Sequence, residues 1–159
     1  MSRSRMRWDE IVSFLNQQST LTLATVSEEG LACVAPLFYL LEAEKEAESP
    51  LTFYWLSSPS SQHSRNLRLE QRAALSVQVQ TERWREIRGL QMRGTVEVVR
   101  DRARRRTVIE RYSERFQLGA VLRVAIARST LYAFRPELVR WIDNSKRLGK
   151  RVEWNMKQS

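Results

Sequence analysis

The stretch Phe53-Tyr-Trp-Leu-Ser-Ser-Pro-Ser-Ser-Gln-His-Ser-Arg-Asn-Leu67 brings together the residue types best suited to chemistry in this sequence. An apolar run, read as a strand over Leu51–Leu56, passes into a cluster of hydroxyls, a proline and the only histidine, and then into an amphipathic segment. Ser58 followed by Pro59 predicts a helix start, because a serine oxygen caps free backbone N–H groups and proline tolerates the first helical position. Those N–H groups and the helix dipole favour an anion. Ser60, Ser61, Gln62 and His63 add side-chain donors in one turn, and Arg65 adds a charge nearby. A phosphate fits such a turn; so does an ordinary capped helix on a polar loop.

Other chemistries lack their residues. There is no G-x-G-x-x-G and no Walker loop, which argues against a Rossmann or P-loop nucleotide site. One histidine and one cysteine cannot furnish a zinc site with nitrogen and sulfur ligands. A Ser-His-Asp triad would have to use His63, and no G-x-S-x-G elbow is present. Cys33 falls in an expected strand and reads as a small buried residue rather than a nucleophile. A single cysteine forms no internal disulfide, in keeping with an expected cytoplasmic location.

The net charge is +9, with 27 Lys and Arg against 18 Asp and Glu. Such a field attracts nucleic acid or phosphate-bearing small molecules. Most of the cations are arginine, suited to planar contact with phosphate or carboxylate. No run approaches the roughly 20 apolar residues of a membrane span, so no membrane partner is expected. The 159 residues are read as a single domain, with residues 1–6 a flexible basic N-terminus that no apolar signal segment follows.

The elements that must hold the serine-rich turn follow from periodicity. Trp8–Gln17 has Trp8, Ile11, Val12 and Leu15 at helical spacing. Thr20–Val26 alternates as a strand and turns at Glu28-Glu29-Gly30 into a return strand over Leu31–Leu41, in which Pro36 argues for an edge or a bulge. A helix from near Ser58 to near Glu70 follows the third strand. Ala74–Thr81 is a strand, Glu82–Glu86 a charged loop, and Ile87–Val99 a long strand with Gly89 and Gly94 inside it, where glycine marks a bulge, a bend or a close approach. Asp101 caps a helix from Arg102 to about Phe116 with Val108, Ile109, Tyr112 and Phe116 as its apolar stripe. The run Arg102–Arg106 is read first as a solvated face. Val121–Ile126, Thr130–Arg135 and Leu138–Ile142 read as short strands, and the tail after Asp143 as polar, with Trp154 isolated. The fold expected is mainly β (α+β): a six- to seven-stranded antiparallel split β-barrel with about three flanking helices.

Three stretches together, Thr20–Val26, Phe53–Leu67 and Arg88–Glu97, resemble the pyridoxamine 5′-phosphate oxidase-like family of FMN-binding split barrels, and Trp141–Arg151 extends the likeness. The resemblance implies an FMN cofactor. It implies that Ser57 meets the polar edge of the isoalloxazine ring. It implies that Ser61, Gln62 and His63 stand where the family has a serine, a basic residue and a lysine around the phosphate. Trp141 corresponds to a tryptophan beside the flavin, Arg151 to an arginine that reaches the ring, and Arg147 to an arginine that holds the vitamin B6 substrate. Two departures are visible: Gly149 replaces that arginine's histidine partner, and the terminal Arg-Leu-x-Pro is missing. The resemblance therefore implies the FMN site without the vitamin B6 oxidase activity. It also implies a homodimer with the flavin at the interface. Trp55 reads as core; Trp141 reads equally as packing or as a flavin neighbour.

Three functional readings follow. The first is an FMN-dependent oxidoreductase whose substrate is open. The second is a non-catalytic module of the same fold carrying FMN, a deazaflavin or haem. The third is a nucleic-acid binder using the Arg102–Arg106 face, which has few interleaved aromatic residues.

Overall fold

The computed structural model describes residues 8–149 and 151–156. The expected basic N-terminus, residues 1–6, lies outside the described residues. Helix α1 (Trp8–Gln17) leads into β1 (Thr20–Val26), β2 (Ala32–Phe38), β3 (Leu40–Ala43) and β4 (Leu51–Ser57). Helix α2 (Gln62–Leu69) follows, then β5 (Arg72–Gln78), β6 (Arg88–Val98), α3 (Arg102–Arg115), α4 (Arg123–Arg128), β7 (Thr130–Asp143) and β8 (Arg151–Asn155). The eight strands form one antiparallel sheet in the order β2-β1-β5-β6-β7-β4-β3, with β8 on β7. Four helices flank it, so the expected split-barrel class is observed.

Curvature follows from connectivity. β2 and β3 are joined through Tyr39 alone, yet they stand at opposite ends of the strand order. Only a sheet rolled back on itself can bring its two ends within one residue. The continuous strand expected over Leu31–Leu41 is therefore two strands broken at Tyr39, and Pro36 sits in the edge strand β2, where its missing N–H is harmless. Inside the roll, Leu21, Leu23, Phe53, Trp55, Leu75, Val77, Leu90, Met92 and Phe134 make a continuous core closed on one side by Ile11, Phe14 and Leu15 of α1. Trp55 is fully buried and stacks on Tyr132, as its alternation with Phe53 predicts.

Four sequence expectations are corrected. Thr130–Arg135 and Leu138–Ile142 are one strand, β7, because the chain passes Pro136 by a register shift instead of stopping. Glu137 is the extra residue, opposite the junction of Arg93 and Gly94. β7 pairs β4 through Thr130–Phe134 and β8 through Leu138–Ile142 along one edge, so the shift separates two different partners. Val121–Ile126 is helical, a 3-10 turn over Ala120–Leu122 running into α4. Arg105 holds its end against α3, since the guanidinium donates to the carbonyl of Ile126 (3.3 Å), which also accepts the Ser129 N–H (3.1 Å), and to that of Ser129 (2.9 Å). Trp154 is not isolated: the tail carries β8, and Trp154 and Met156 pack against the core. Cys33 is half-exposed on the edge strand rather than buried, and its thiol donates to the Leu31 carbonyl.

The arginine run is only partly a solvated face. Arg104 bonds Glu42 and the Tyr54 hydroxyl (2.7 Å), and Arg111 reaches the other Glu42 oxygen (3.2 Å). These contacts fasten α3 to the β3–β4 end of the sheet, while Val108 and Tyr112 bury its apolar stripe. Among the described residues no helix is long and apolar enough to cross a membrane.

The bulge gives a sharp test. A Cβ on Gly94 would lie 2.0 Å from the Arg135 carbonyl oxygen, whereas one on Gly119 would meet nothing within 4 Å. Gly94→Ala is expected to destabilise the fold by about 3 kcal/mol, at the upper end of ordinary overpacking costs, and Gly119→Ala to change stability by less than about 0.5 kcal/mol, as for an exposed site. Denaturant unfolding of the two variants checks the contrast.

Candidate functional site

β4 carries Ser57 into the serine-rich turn, and the turn delivers the chain to α2. Helix α2 begins later than Ser58-Pro59 predicts. Ser61 is the cap: its oxygen accepts from the Ser64 N–H (3.3 Å) and its hydroxyl donates to Ser64 Oγ (2.8 Å). The reason lies further along the helix. Arg68 takes the Pro59 carbonyl (2.9 Å) and Arg65 the Ser60 carbonyl, the acceptors that a helix begun at Pro59 would need. Arg65 is thus an anchor of the turn rather than a free charge.

The remaining donors converge. His63 Nε2 lies 2.7 Å from Ser57 Oγ and 3.1 Å from Ser61 Oγ. His63 is half-buried, and the loss of solvent around it lowers its pKa below the ordinary 6.5. Gln62 points elsewhere: its amide nitrogen donates to Asn66 Oδ1 (2.8 Å) and its oxygen accepts from Arg65 (2.6 Å). Gln62 therefore offers the turn its backbone N–H, not its side chain. The first-turn N–H groups of Gln62 and His63 have no acceptor within the helix, as at any helix N-terminus. Two hydroxyls, an imidazole and two backbone N–H groups around one turn form a donor set that fits a phosphate.

Residues outside the motif hold this turn in place. Asn66, fully inside, donates from Nδ2 to Thr25 Oγ1 (2.9 Å) and fixes α2 on β1. Thr25 also lines a groove of about 620 Å³ on the outer face of β1, β5, β6 and β7. Ala24, Ala32, Ala73, Ala74 and Gly94 leave the groove shallow and flat, with Arg72 and Arg93 at its rim. Arg72 is held by Glu70 through two contacts of 3.0 and 2.6 Å, which keep that carboxyl down near about 2. The groove escaped the sequence reading; its one signal is small residues at outward positions of neighbouring strands. Among the described residues no cluster of three or more His, Cys, Asp and Glu could hold a metal ion.

Trp141, Arg147 and Arg151 lie elsewhere. Ser57 pairs with Thr130 at the start of β7, whereas Trp141 is eleven residues further along that strand, opposite Leu90 and Val152. Eleven residues span about 35 Å of strand contour. Trp141 is only 4% exposed and meets Phe14 edge-on at 5.0 Å between ring centroids. Arg147 and Arg151 are exposed, in the turn before β8 and at its first residue. One chain thus gathers Ser57, Ser61 and His63, and sets Trp141, Arg147 and Arg151 at the far end of β7.

Comparison with known proteins bears on what such a barrel is. The family model for pyridoxamine 5′-phosphate oxidase matches residues 8–143. The chain belongs to this family. A curated relative from Cronobacter sakazakii, a UPF0306 protein, is 30% identical over 146 residues, 92% of this chain and 93% of its own. Among solved structures, the haem storage protein HutZ of Vibrio cholerae superposes with a TM-score of 0.65 at 23% identity, over 83% of this chain and 92% of that one. A Clostridium acetobutylicum protein of the pyridoxinephosphate oxidase family, related to general stress protein 26, gives 0.65 at 16% identity and 93% coverage of both. At these identities the structural likeness shows the fold alone.

Two outcomes follow from the geometry. Asn66→Ala leaves Thr25 without its donor in a buried place and should cost about 1–3 kcal/mol; combined with Thr25→Val the loss should be less than additive by at least about 0.5 kcal/mol in a double-mutant cycle. For His63, the folded pKa is below the unfolded one, so the unfolded chain binds the proton more tightly and stability falls as pH drops through 6.5 toward the folded value. Melting temperatures of wild type and His63→Gln should diverge across that window, with the wild type losing more.

Proposed function

We propose that this protein binds FMN, with the phosphate in the turn of Ser57, Ser61 and His63, and acts as an FMN-dependent oxidoreductase on a small substrate. The carrying observation is the convergence of His63 Nε2 on both serine hydroxyls at the start of α2, beside two free backbone N–H groups. Membership of the family supports the reading. The flat alanine-lined groove beside Thr25 suits a planar ring, and Arg93 at its rim suits the ring's polar edge. When bound, a flavin supplies hydride or electron transfer. This chain's residues would hold the phosphate, order the turn through Arg65 and Arg68, and keep water from the groove floor.

The second half of the site calls for a second chain. Trp141, Arg147 and Arg151 cannot approach Ser57 within one molecule when a long strand separates them, and a two-fold homodimer would supply them from the partner. Gly149, with no side chain, stands where a substrate-binding histidine would be expected, so the substrate is not taken to be a vitamin B6 phosphate.

Haem, which the Vibrio cholerae protein is named for storing, is the second reading. It needs an axial ligand, and Nε2 of the only imidazole here is already engaged with two serine hydroxyls at a helix start, a donor set that suits an anion better than iron.

The spectrum of the purified protein after addition of FMN and desalting decides between them. Two retained flavin bands are expected; a Soret band, or no retained chromophore, overturns the reading. His63→Ala should weaken FMN by about 1–3 kcal/mol, the scale of a charge-assisted hydrogen bond. His63→Lys, with a charge that does not titrate near neutrality, should bind FMN more tightly. In wild type the imidazole gains its proton against a phosphate, so affinity should rise as pH falls from about 8 to about 6.5. His63→Lys should be flat over the same range, and parallel profiles would move the phosphate away from His63.

A further inference from the structure

The end of the molecule built from α3, α4 and the 3-10 turn between them is outside the site just described and has its own character. Nine arginines and three acidic residues lie between Val99 and Ser129, a net +6 of the chain's +9 in one connected piece. Some of these arginines are structural: Arg104 and Arg111 hold Glu42, Arg105 caps α4, and Arg115 donates to the Asn16 and Gln18 carbonyls. Arg100, Arg102, Arg106, Arg123 and Arg128 are exposed, and among the described residues none of them is in an ion pair.

Apolar side chains stand among these cations. Val121 is 92% exposed, Val124 61% and Leu122 44%. The 3-10 turn continues directly into α4, so Val121, Val124 and Arg128 follow at spacings of three and four along one outward stripe, while Ile126 turns inward to line a cleft with Ile109 and Leu118 of the α3 side. This is the reverse of what a solvated helix needs, which would put polar residues outward. Arg105 holds the end of α4 against α3, so the stripe is presented from a fixed base.

We propose that this end of the molecule docks on an anionic lipid bilayer, with Val121 and Val124 entering the headgroup layer and the exposed arginines on lipid phosphates. Charge complementarity selects the occupant. Arginine stems lie along apolar surface while their heads stay in the polar layer, so cations and valines can engage one bilayer together. A second copy of the chain docked through the same face would set two +6 surfaces against each other. Nucleic acid would use the arginines, but no fully exposed aromatic ring lies between Val99 and Ser129 to stack on bases, and the valines would stay in water. The contact is peripheral, consistent with the lack of a membrane-crossing helix among the described residues, and it is independent of the FMN reading.

Co-sedimentation of the full chain with vesicles tests this. Wild type is expected to bind equimolar phosphatidylserine–phosphatidylcholine vesicles, to ignore pure phosphatidylcholine, and to be released by salt. Val121→Asp with Val124→Asp, and separately Arg123→Glu with Arg128→Glu, should each weaken binding by about tenfold or more. All four positions are exposed, so both variants should keep the wild-type melting temperature and oligomeric state. Failure of wild type to bind the anionic vesicles overturns the proposal. So does unchanged binding by the valine variant, which would make the contact purely electrostatic, or a change in oligomeric state in either variant, which would mean that a second copy covers this face. Displacement of vesicles by duplex DNA that both the wild type and the valine variant bind equally well would assign the face to nucleic acid instead.

Discussion

The single residue Tyr39, between β2 and β3, is the constraint on which the rest of the architecture depends. Because β2 is the first strand of the sheet and β3 the last, the chain must step from one edge to the other at that point. Tyr39 makes the step in the dark interior. Its ring is fully buried against Phe53, its N–H donates to the Ser19 carbonyl, and its hydroxyl donates to the Leu15 carbonyl at the end of α1. Burial pushes the phenol's pKa well above its ordinary value, so the hydroxyl stays a donor at any physiological pH. With this seam closed, α1 has a fixed place over the barrel mouth, and the inner faces of β1, β4, β5, β6 and β7 face one another.

The same closure sets what the outer face can be. A sheet that spends one face on the core leaves the other for short side chains, and Ala24, Ala32 and Ala74 line the groove there. Val34 and Phe38 on the edge strand β2 are exposed alongside them, a contiguous apolar margin of the kind that monomers seldom leave in water. The β7 bulge adds the second requirement. By slipping one residue at Glu137, β7 releases β4 and takes up β8, which places the hairpin of Trp141, Arg147 and Arg151 far from Ser57. The proposed site needs residues from both ends of this long strand, and that is the geometric ground on which the homodimer is proposed.

How much of this was legible in the sequence varies with the scale of the interaction that decides it. β1 and α1 are determined locally, by alternation in Thr20–Val26 and by helical spacing from Trp8, and both match their observed bounds. Gly94 and Pro36 were readable because each has a backbone property that only a bulge or an edge can use. The start of α2 was not, because it is decided by Arg65 and Arg68 reaching back to carbonyls five and nine residues earlier. Val121–Ile126 reads as a strand and is helical; Arg105, some twenty residues away in sequence, holds the end of α4 through the Ile126 and Ser129 carbonyls, a tertiary contact that the local residues do not encode. Ser61 and His63 could be named from their order alone, since the turn is local, whereas Ser57 came from the family resemblance, which put it at the ring edge, and it stands beside His63. That Gln62 faces Asn66 and Arg65, and that Trp141 sits 4% exposed on Phe14, are tertiary facts that residue type does not encode.

His63 sets the character of the proposed phosphate site. A lysine at the same place would bring a full charge on a flexible stem, strong at a distance and indifferent to direction. An imidazole held between two serine hydroxyls brings direction first and charge only conditionally, since burial has lowered its proton affinity. Arg65 and Arg68 keep their charges but spend donors on the chain's own carbonyls, so direct contact falls to the hydroxyls, the imidazole and the backbone N–H groups, with the helix dipole acting within a turn's length. Such a site selects by fit more than by field, and it does so on a protein whose net charge already draws anions from a distance. In the proposed phosphate site, selection would thus fall to Ser57, Ser61 and His63, with the net +9 of the whole chain supplying attraction at a distance.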